Sequence, residues 1–317
     1  MPFSIGAIKN FISLKKLRFF FGLILLFILV WYFDFKTIIF EIANMDFYYI
    51  FLAAIFITLF TILGAYNTYL LINLEKKLTF FNFIPIYWIS WAVALVFPGQ
   101  VGDIATLSVI MKKRGLDISK TVGRSLIDKL ISFILMLGFA VWGILTLPNL
   151  KITGHLYFLV LVVTIFLLIY WQRIYIAQLL RQIQPKLMDF MIRTAQEVQQ
   201  VTWGYPRLVM TNIVLTCVKI GLAGTSYWYA FQAIGYTDVV LWRVIPLVAI
   251  SSLVAYLPIS FNGIGTAEIS GVVLFSTMGI AEASVLSAYL SLRCLGMIIA
   301  WGPLAIGLLI GHNLRSR

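Results

Sequence analysis

Long apolar runs alternate with short polar turns along most of the chain. A helix that crosses a bilayer needs about 20 mostly apolar residues. Six runs reach or approach that length, so the pattern predicts six membrane-spanning helices. They cover residues 17–33, 48–74, 122–147, 155–171, 208–233 and 284–310. The long polar stretch 172–207 carries mixed charge and two prolines, which favours an amphipathic cytoplasmic linker on the membrane surface.

Two further apolar regions, 83–111 and 242–278, differ from the rest because proline, glycine and an acid interrupt each of them. Each region is long enough for two half-helices. Irregular backbone at membrane depth is tolerated only where protein or a water-filled cavity covers it. We therefore predict two re-entrant helical hairpins, each of which enters and leaves the membrane on the same side.

The interrupted regions share a pattern that occurs once in each half of the chain. Gly115 and Lys129 in the first half match Gly279 and Arg293 in the second half, both at a spacing of 164 residues. Each half, 1–150 and 151–317, contains two spans, a hairpin and a third span. Because three spans per half is an odd number, the second half is predicted to be inverted relative to the first. Inverted repeats with interrupted helices near the bilayer midplane are typical of transporters.

The composition also indicates a membrane protein. Of the 317 residues, 62% are hydrophobic and 11% are charged, which is more apolar surface than a soluble fold of this length can bury. A net charge of +12 would suggest nucleic acid in a soluble protein. Here most basic residues fall in the loops of one side, as the positive-inside rule requires. We predict an all-α, multi-pass protein of the cell (plasma or inner) membrane with cytoplasmic termini and no nucleic-acid partner.

Two acids lie at the breaks of the predicted hairpins. Asp103 is in the first and Glu268 in the second. A charge at membrane depth costs several kcal/mol, so each needs a reason. One interpretation makes them proton or cation sites, or contacts to a polar headgroup. The other is that each caps its second half-helix, where a carboxylate meets unpaired N–H groups and the helix dipole. The two roles are compatible.

Several basic residues lie in or beside the apolar runs. Arg124 and Asp128 are four positions apart, so they share a helix face and can pair with each other. Lys129, the next residue after Asp128, points about 100° away from it around the helix axis. Arg124 and Lys129 either contribute to a site or extend to the membrane interface. Arg293 and Lys219 have no acid three or four residues away, so each needs an acid from another helix or an anionic headgroup.

The hairpin breaks also carry small and turn-forming residues. Glycine lets the backbone turn sharply or approach a ligand closely, and N–H groups at the start of a half-helix suit phosphate. An asparagine in the second break can hold its turn. The candidate binding residues of this kind are Pro98, Gly99, Gly102, Asn262, Gly263 and Gly265.

Motifs of other functional classes are absent from the sequence. It has no Gly-x-x-x-x-Gly-Lys phosphate loop, no nucleophile elbow and no His/Cys/acid cluster with the spacing of a metal site. Its two histidines, His155 and His312, lie at opposite ends of apolar runs. We expect no catalytic centre, no ATP-driven step, no metal and no cofactor.

The motifs PGQVGD with RSLIDK, and LPISFNGIGTAE with a later arginine, resemble the lysylphosphatidylglycerol synthase transmembrane-region family. The resemblance is strongest at 96–130 and 255–295 and implies a flippase-like membrane domain. The family pattern has Glu where this chain has Asp103, and Glu-Arg where it has Asp128-Lys129, so charge is kept but reach changes. Fused members also carry a soluble aminoacyltransferase domain. This chain stops after its last helix, so we expect a stand-alone member without synthase activity.

Three functions are compatible with the sequence. The first is a lipid translocase that moves an anionic, aminoacylated or polyprenyl-phosphate-linked lipid through a cavity between the halves. Lys219, Arg293 and Lys129 would then compensate headgroup charge, and the acids would exchange protons or contact sugar or amine groups. The second is an integral membrane glycosyl- or acyltransferase, or an accessory protein, acting on a lipid carrier. The third is a scaffold with internally paired charges and no open cavity. Assembly into a homo-oligomer stays open.

Overall fold

A computed structural model describes residues 24, 26–75, 78–96, 102–146, 185–256, 260 and 262–315. The regular secondary structure of these residues is helical. In chain order the helices are α1 (Phe35–Ala43), α2 (Phe47–Ile72), α3 (Phe80–Ala94), α4 (Gly102–Lys113), α5 (Ile118–Thr146), α6 (Pro185–Gly204), α7 (Pro206–Ala233), α8 (Leu241–Tyr256), α9 (Thr266–Ser276) and α10 (Glu282–Arg315). Residues 26–32 are also helical, and a 3-10 turn, Asn73–Glu75, follows α2.

The all-α class that the sequence predicted is confirmed over the described residues. Within them, four helices are long and apolar enough to cross a membrane, and each corresponds to a predicted span. These segments are Phe47–Glu75, Ile118–Leu145, Pro206–Ala233 and Glu282–Ile306. The predicted span 17–33 is described only in part, and 155–171 lies outside the described residues. The total of six spans therefore stays a prediction.

Each interrupted region forms two short helices, as its pattern predicted. Helices α3 and α4 flank the first break, and α8 and α9 flank the second. At about 1.5 Å per residue, even the longest of these four helices extends only about 24 Å. The apolar core of a bilayer is about 30 Å thick, so none of the four has the length of a full span. The two helices of each pair also pack against each other.

The helix contacts of one half recur in the other when α2–α5 are matched with α7–α10. Helix α2 packs along α7, its own counterpart. The contact of α5 with α8 matches that of α10 with α3, and α4 contacts α5 as α9 contacts α10. Such matched contacts are the pattern that two related halves of one chain would produce.

The largest buried apolar cluster lies where α7, α8, α9 and α10 meet. It includes Phe231, Phe275 and Leu286. The ring centroids of Phe231 and Phe275 lie 4.7 Å apart. Small residues bring these helices together: a Cβ on Gly224 of α7 would lie 2.5 Å from Cγ1 of Ile245 on α8. Inside a membrane, close packing of this kind holds helices together by van der Waals contact.

Helix α6 forms most of the predicted linker and packs against α5. Thr194 and Glu197 are buried on its inner face, whereas Trp203 is exposed on the other. The helices approach closely at Gly123 of α5, where an added Cβ would lie 2.9 Å from the carbonyl oxygen of Thr194. One face of the linker helix is therefore fixed to the bundle.

Candidate functional site

The first hairpin acid forms an ion pair with the span that follows it. Asp103 lies in the first turn of α4, where a carboxylate is favoured by the helix dipole. Its Oδ2 atom is 2.6 Å from Nζ of Lys129 on α5, and its Oδ1 atom accepts the N–H of Ile104 at 2.8 Å. Lys129, for which an interfacial position was the alternative, therefore has an acid partner inside the bundle.

The second hairpin acid forms the matching pair. Oε1 of Glu268 lies 2.6 Å from both Nε and Nη2 of Arg293, and Oε2 accepts the N–H of Gly265 at 2.7 Å. The predicted capping role is thus observed, together with an ion pair. The turn itself needs left-handed backbone, with φ of 45° at Asn262, 71° at Gly263 and 80° at Gly265. Glycine adopts such angles freely and asparagine tolerates them, which explains these residue types.

A third buried group joins α2, α5 and α7. Oδ1 of Asp128 accepts hydrogen bonds from Nδ2 of Asn67 at 2.9 Å and of Asn212 at 3.2 Å. Nζ of Lys219 lies 3.7 Å from the same oxygen. Asn67 also donates to Oγ1 of Thr216 at 3.0 Å. Lys219, which the sequence predicted to need an acid from another helix or an anionic headgroup, therefore has Asp128 on α5 as its acid.

The expected pair between Arg124 and Asp128 does not form. Instead Nε of Arg124 lies 2.7 Å from Oε1 of Glu197 on α6, and Nη1 donates to the carbonyl oxygen of Ile72 at 2.9 Å. Glu75 lies further off, at 3.6 Å from Nη2. Helical spacing allowed the pair with Asp128, but acceptors from two other elements give Arg124 shorter bonds. Its side chain fastens α6 to α5.

Two adjoining cavities lie between the halves of the bundle. The first, of about 240 Å³, is lined by Asp103, Asp128, Lys129 and Lys219 among others. The second, of about 260 Å³, contains the pair of Glu268 and Arg293 in its wall. Their walls share seven residues: Phe60, Trp91, Leu95, Ala223, Val248, Ser252 and Asn262. Most of these shared residues are apolar, and Ser252 and Asn262 add polar groups where the two cavities adjoin.

The structure brings together most but not all of the predicted site residues. Asn262 lines both cavities. Gly102, Gly263 and Gly265 shape the starts of α4 and α9 without lining either cavity, and Arg124 is also away from the lining. Pro98 and Gly99 lie outside the described residues.

Several polar residues that build the walls or orient the charges were not predicted from the sequence. Ser125 lines the first cavity, and Tyr289 in the second donates to Oγ of Ser251 at 2.8 Å. Asn67 and Asn212 hold Asp128 although they do not line the cavity. An amide inside a long apolar run is a usable signal because it needs a hydrogen-bond partner at membrane depth.

The basic side chains that line the two cavities can donate hydrogen bonds to phosphate, and the acidic side chains can accept them from amine or hydroxyl groups. Guanidinium and ammonium groups bind phosphate oxygens, and carboxylates bind ammonium groups. Among the residues that the structure describes, no cluster of three or more His, Cys, Asp or Glu side chains could hold a metal ion. The site is thus described by its ion pairs and its polar neutral side chains.

Apolar helices of membrane-spanning length around a charged internal cavity define a multi-pass integral membrane protein. The family model for the lysylphosphatidylglycerol synthase TM region matches residues 17–307, and the chain belongs to this family. The resemblance in the hairpin motifs is thereby confirmed, and the protein has a lipid-related role. No curated protein matches the chain.

Proposed function

We propose that the protein is a translocase that moves a lipid with a polar, phosphate-bearing headgroup between the two leaflets. The observation that carries this proposal is the pair of adjoining cavities with three ion pairs in their walls. Charges at membrane depth usually serve a polar path or substrate because they are costly to insert. When a headgroup enters these cavities it loses water, but it gains charged side chains as partners. In the hydrocarbon of the bilayer it would lose water and gain no such partners.

The proposed transport mechanism uses two inverted halves that open to opposite sides. The short lengths of α3, α4, α8 and α9 support re-entrant hairpins, and the matched helix contacts support a repeat. In this arrangement the basic turn at 112–114 is cytoplasmic, as are both termini, and the membrane is the plasma or inner membrane. Rocking of one half against the other would expose the cavities alternately, as in other inverted-repeat transporters.

The other candidate functions account for less of the structure. A scaffold explains the paired charges but gives no reason for two adjoining cavities with those charges in their walls. A transferase acting on a lipid carrier needs an acid that can face its donor. The side chain of Glu268 is 1% exposed and that of Asp103 is 22% exposed, so Asp103 is the more accessible candidate for that role.

The test is headgroup translocation in liposomes that contain only this protein. Fluorescent phospholipids and a polyprenyl phosphate are placed in both leaflets, and the fraction that becomes accessible to an external quencher is followed over time. The wild type is expected to move at least one of these lipids. Arg293→Ala is expected to slow that movement by roughly tenfold or more, since it removes a charged contact in the cavity wall.

Arg243→Ala is the matched control, because Arg243 is exposed and lies outside both cavities. It should transport at the wild-type rate. If correctly folded wild-type protein moves none of the lipids, the translocase proposal is wrong. Transfer of a sugar or acyl group to a lipid carrier, lost in Asp103→Asn, would then favour the enzyme.

A further inference from the structure

The charges that line the two cavities are balanced. Among the described lining residues there are three acids, Asp103, Asp128 and Glu268, and three bases, Lys129, Lys219 and Arg293. Each base lies beside one of the acids, at N–O distances of 2.6, 3.7 and 2.6 Å. The cavity walls therefore hold no surplus charge of either sign for a headgroup to neutralise.

This balance sets the net charge of the headgroup that fits. An anionic headgroup would bring a charge whose only partners already have counter-ions, and desolvation makes an uncompensated charge costly. A cationic headgroup has the same difficulty with the opposite sign. A headgroup that carries one negative and one positive group leaves the total at zero, and each group can share an existing pair.

The pairs differ in which member a lipid can reach. Glu268 is 1% exposed with both oxygens engaged, whereas its partner Arg293 is 17% exposed. Arg293 is thus the cavity-facing member, and its planar guanidinium matches phosphate geometry. Asp128 is only 10% exposed and already accepts from two amides, but Asp103 is 22% exposed. Asp103 is therefore the most exposed of the three carboxylates, and its partner Lys129 is exposed to a similar extent, 24%.

A separate observation points to a ligand in the first cavity. Ser125 is one of the residues that line this cavity, it is only 4% exposed, and its buried Oγ atom has no hydrogen-bond partner among the described residues. A buried hydroxyl without a partner costs free energy that a bound polar group can recover. Ser125 precedes Lys129 by four positions on α5, so the two residues share a face of that helix, and Lys129 is paired with Asp103.

We propose that the transported lipid is zwitterionic, with one phosphate and one ammonium group and no net charge. Arg293 binds the phosphate and Asp103 binds the ammonium. This inference rests on the proposed translocase function and specifies its substrate class. Selectivity then follows the charge of the cavity wall, so that changing the wall by one charge changes which headgroup moves fastest.

The experiment compares three lipids with identical fluorescent acyl chains in protein-containing liposomes: phosphatidylethanolamine, phosphatidylglycerol and lysylphosphatidylglycerol. Their headgroups carry net charges of about 0, −1 and +1 at neutral pH. The wild type is expected to move phosphatidylethanolamine roughly tenfold faster than either of the other two, a preference of about 1.4 kcal/mol.

Two single variants shift the charge of the wall in opposite directions. Asp103→Asn leaves Lys129 unpaired, so the wall gains positive charge and the preference should move toward phosphatidylglycerol. Lys129→Met leaves Asp103 unpaired and should move the preference toward the cationic lipid. Glu282→Gln removes an exposed acid outside both cavities and should keep the wild-type order.

The outcomes separate this inference from the function on which it rests. If the wild type moves phosphatidylglycerol as fast as phosphatidylethanolamine, the zwitterionic proposal is wrong and the translocase stands. The same holds if folded Asp103→Asn keeps the wild-type order of lipids. Movement of none of the three lipids, with a polyprenyl phosphate transported, also contradicts this inference alone. If nothing moves at all, both proposals fail. The wild-type comparison needs no variant, so a variant that fails to fold leaves the test intact.

Discussion

Lys129 contacts Asp103 at an N–O distance of 2.6 Å, and Arg293 contacts Glu268 at the same distance in the second half of the chain. In both cases the base lies on a long apolar helix and the acid lies in the first turn of the short helix before it. Each short helix is thus tied at its start to the following span. The same two pairs also lie in the cavity walls, so one set of contacts serves both packing and the proposed site.

The pair of Glu268 and Arg293 should contribute to stability as a unit. Removal of one partner of a buried ion pair costs about 3–5 kcal/mol, because the remaining charge loses its counter-ion. We expect Glu268→Gln and Arg293→Met each to lower the free energy of unfolding by about that much, and the double variant to lower it by less than their sum. Denaturant unfolding in detergent micelles measures all three. Strict additivity would show that the two side chains do not depend on each other.

The network around Asp128 should be sensitive to its charge. Asp128→Asn would place an amide among the two amide donors of Asn67 and Asn212 and leave Lys219 without its acid. We expect a loss of about 3 kcal/mol in the free energy of unfolding. Adding Lys219→Met should restore part of it, since the unpaired cation is then gone. Asp238→Asn, at an exposed position, should change stability by less than about 0.5 kcal/mol.

The close approach of α6 to α5 should depend on the absence of a side chain at Gly123. A Cβ there would lie 2.9 Å from the carbonyl oxygen of Thr194 and 3.0 Å from Cβ of Glu197. Gly123→Ala should therefore cost about 1–3 kcal/mol, as overpacking does, and should speed proteolysis within Pro185–Gly204.

Gly138→Ala is the matched control for that experiment. Gly138 lies in the same helix, but an added Cβ would meet no atom within 4 Å. Alanine also has a higher helix propensity than glycine, by about 1 kcal/mol. This variant should keep the wild-type proteolysis pattern and unfold no more easily than the wild type. Equal proteolysis of the two variants would argue against a close contact between α5 and α6 at Gly123.

The proposed inverted repeat makes a prediction about which side of the membrane two turns face. The turn after α4 and the turn after α9 occupy matching places, so inversion puts them on opposite faces of the membrane. Single cysteines at the exposed positions Lys112 and Thr277 report this when Cys217 and Cys294 are replaced by Ser. A membrane-impermeant maleimide applied to intact cells should label Thr277→Cys and spare Lys112→Cys. Labelling of both from one side would exclude an inverted arrangement of these turns.

Sequence patterns predicted the charged residues of the site better than their partners. Proline and glycine next to an acid marked both hairpin breaks, and charges alone in apolar runs marked Lys219 and Arg293. The predicted pair of Arg124 with Asp128 was wrong, because Arg124 binds Glu197 instead, and Glu197 lies on the linker helix far along the chain. Spacing within one helix is informative about possible neighbours, but it says nothing about competing acceptors from other helices.

The sequence by itself determined the class of protein, the positions of the four long apolar helices among the described residues, and the two interruptions. These features depend on local properties: apolar length, backbone freedom at glycine and proline, and the cost of charge in hydrocarbon. The tertiary structure alone decided which acid serves which base, and that Asn67 and Asn212 converge on Asp128. It also placed the ion pairs of Asp103 with Lys129 and of Glu268 with Arg293 in the walls of adjoining cavities. Such relations join residues from distant parts of the chain, and only the packing of whole helices fixes their distances.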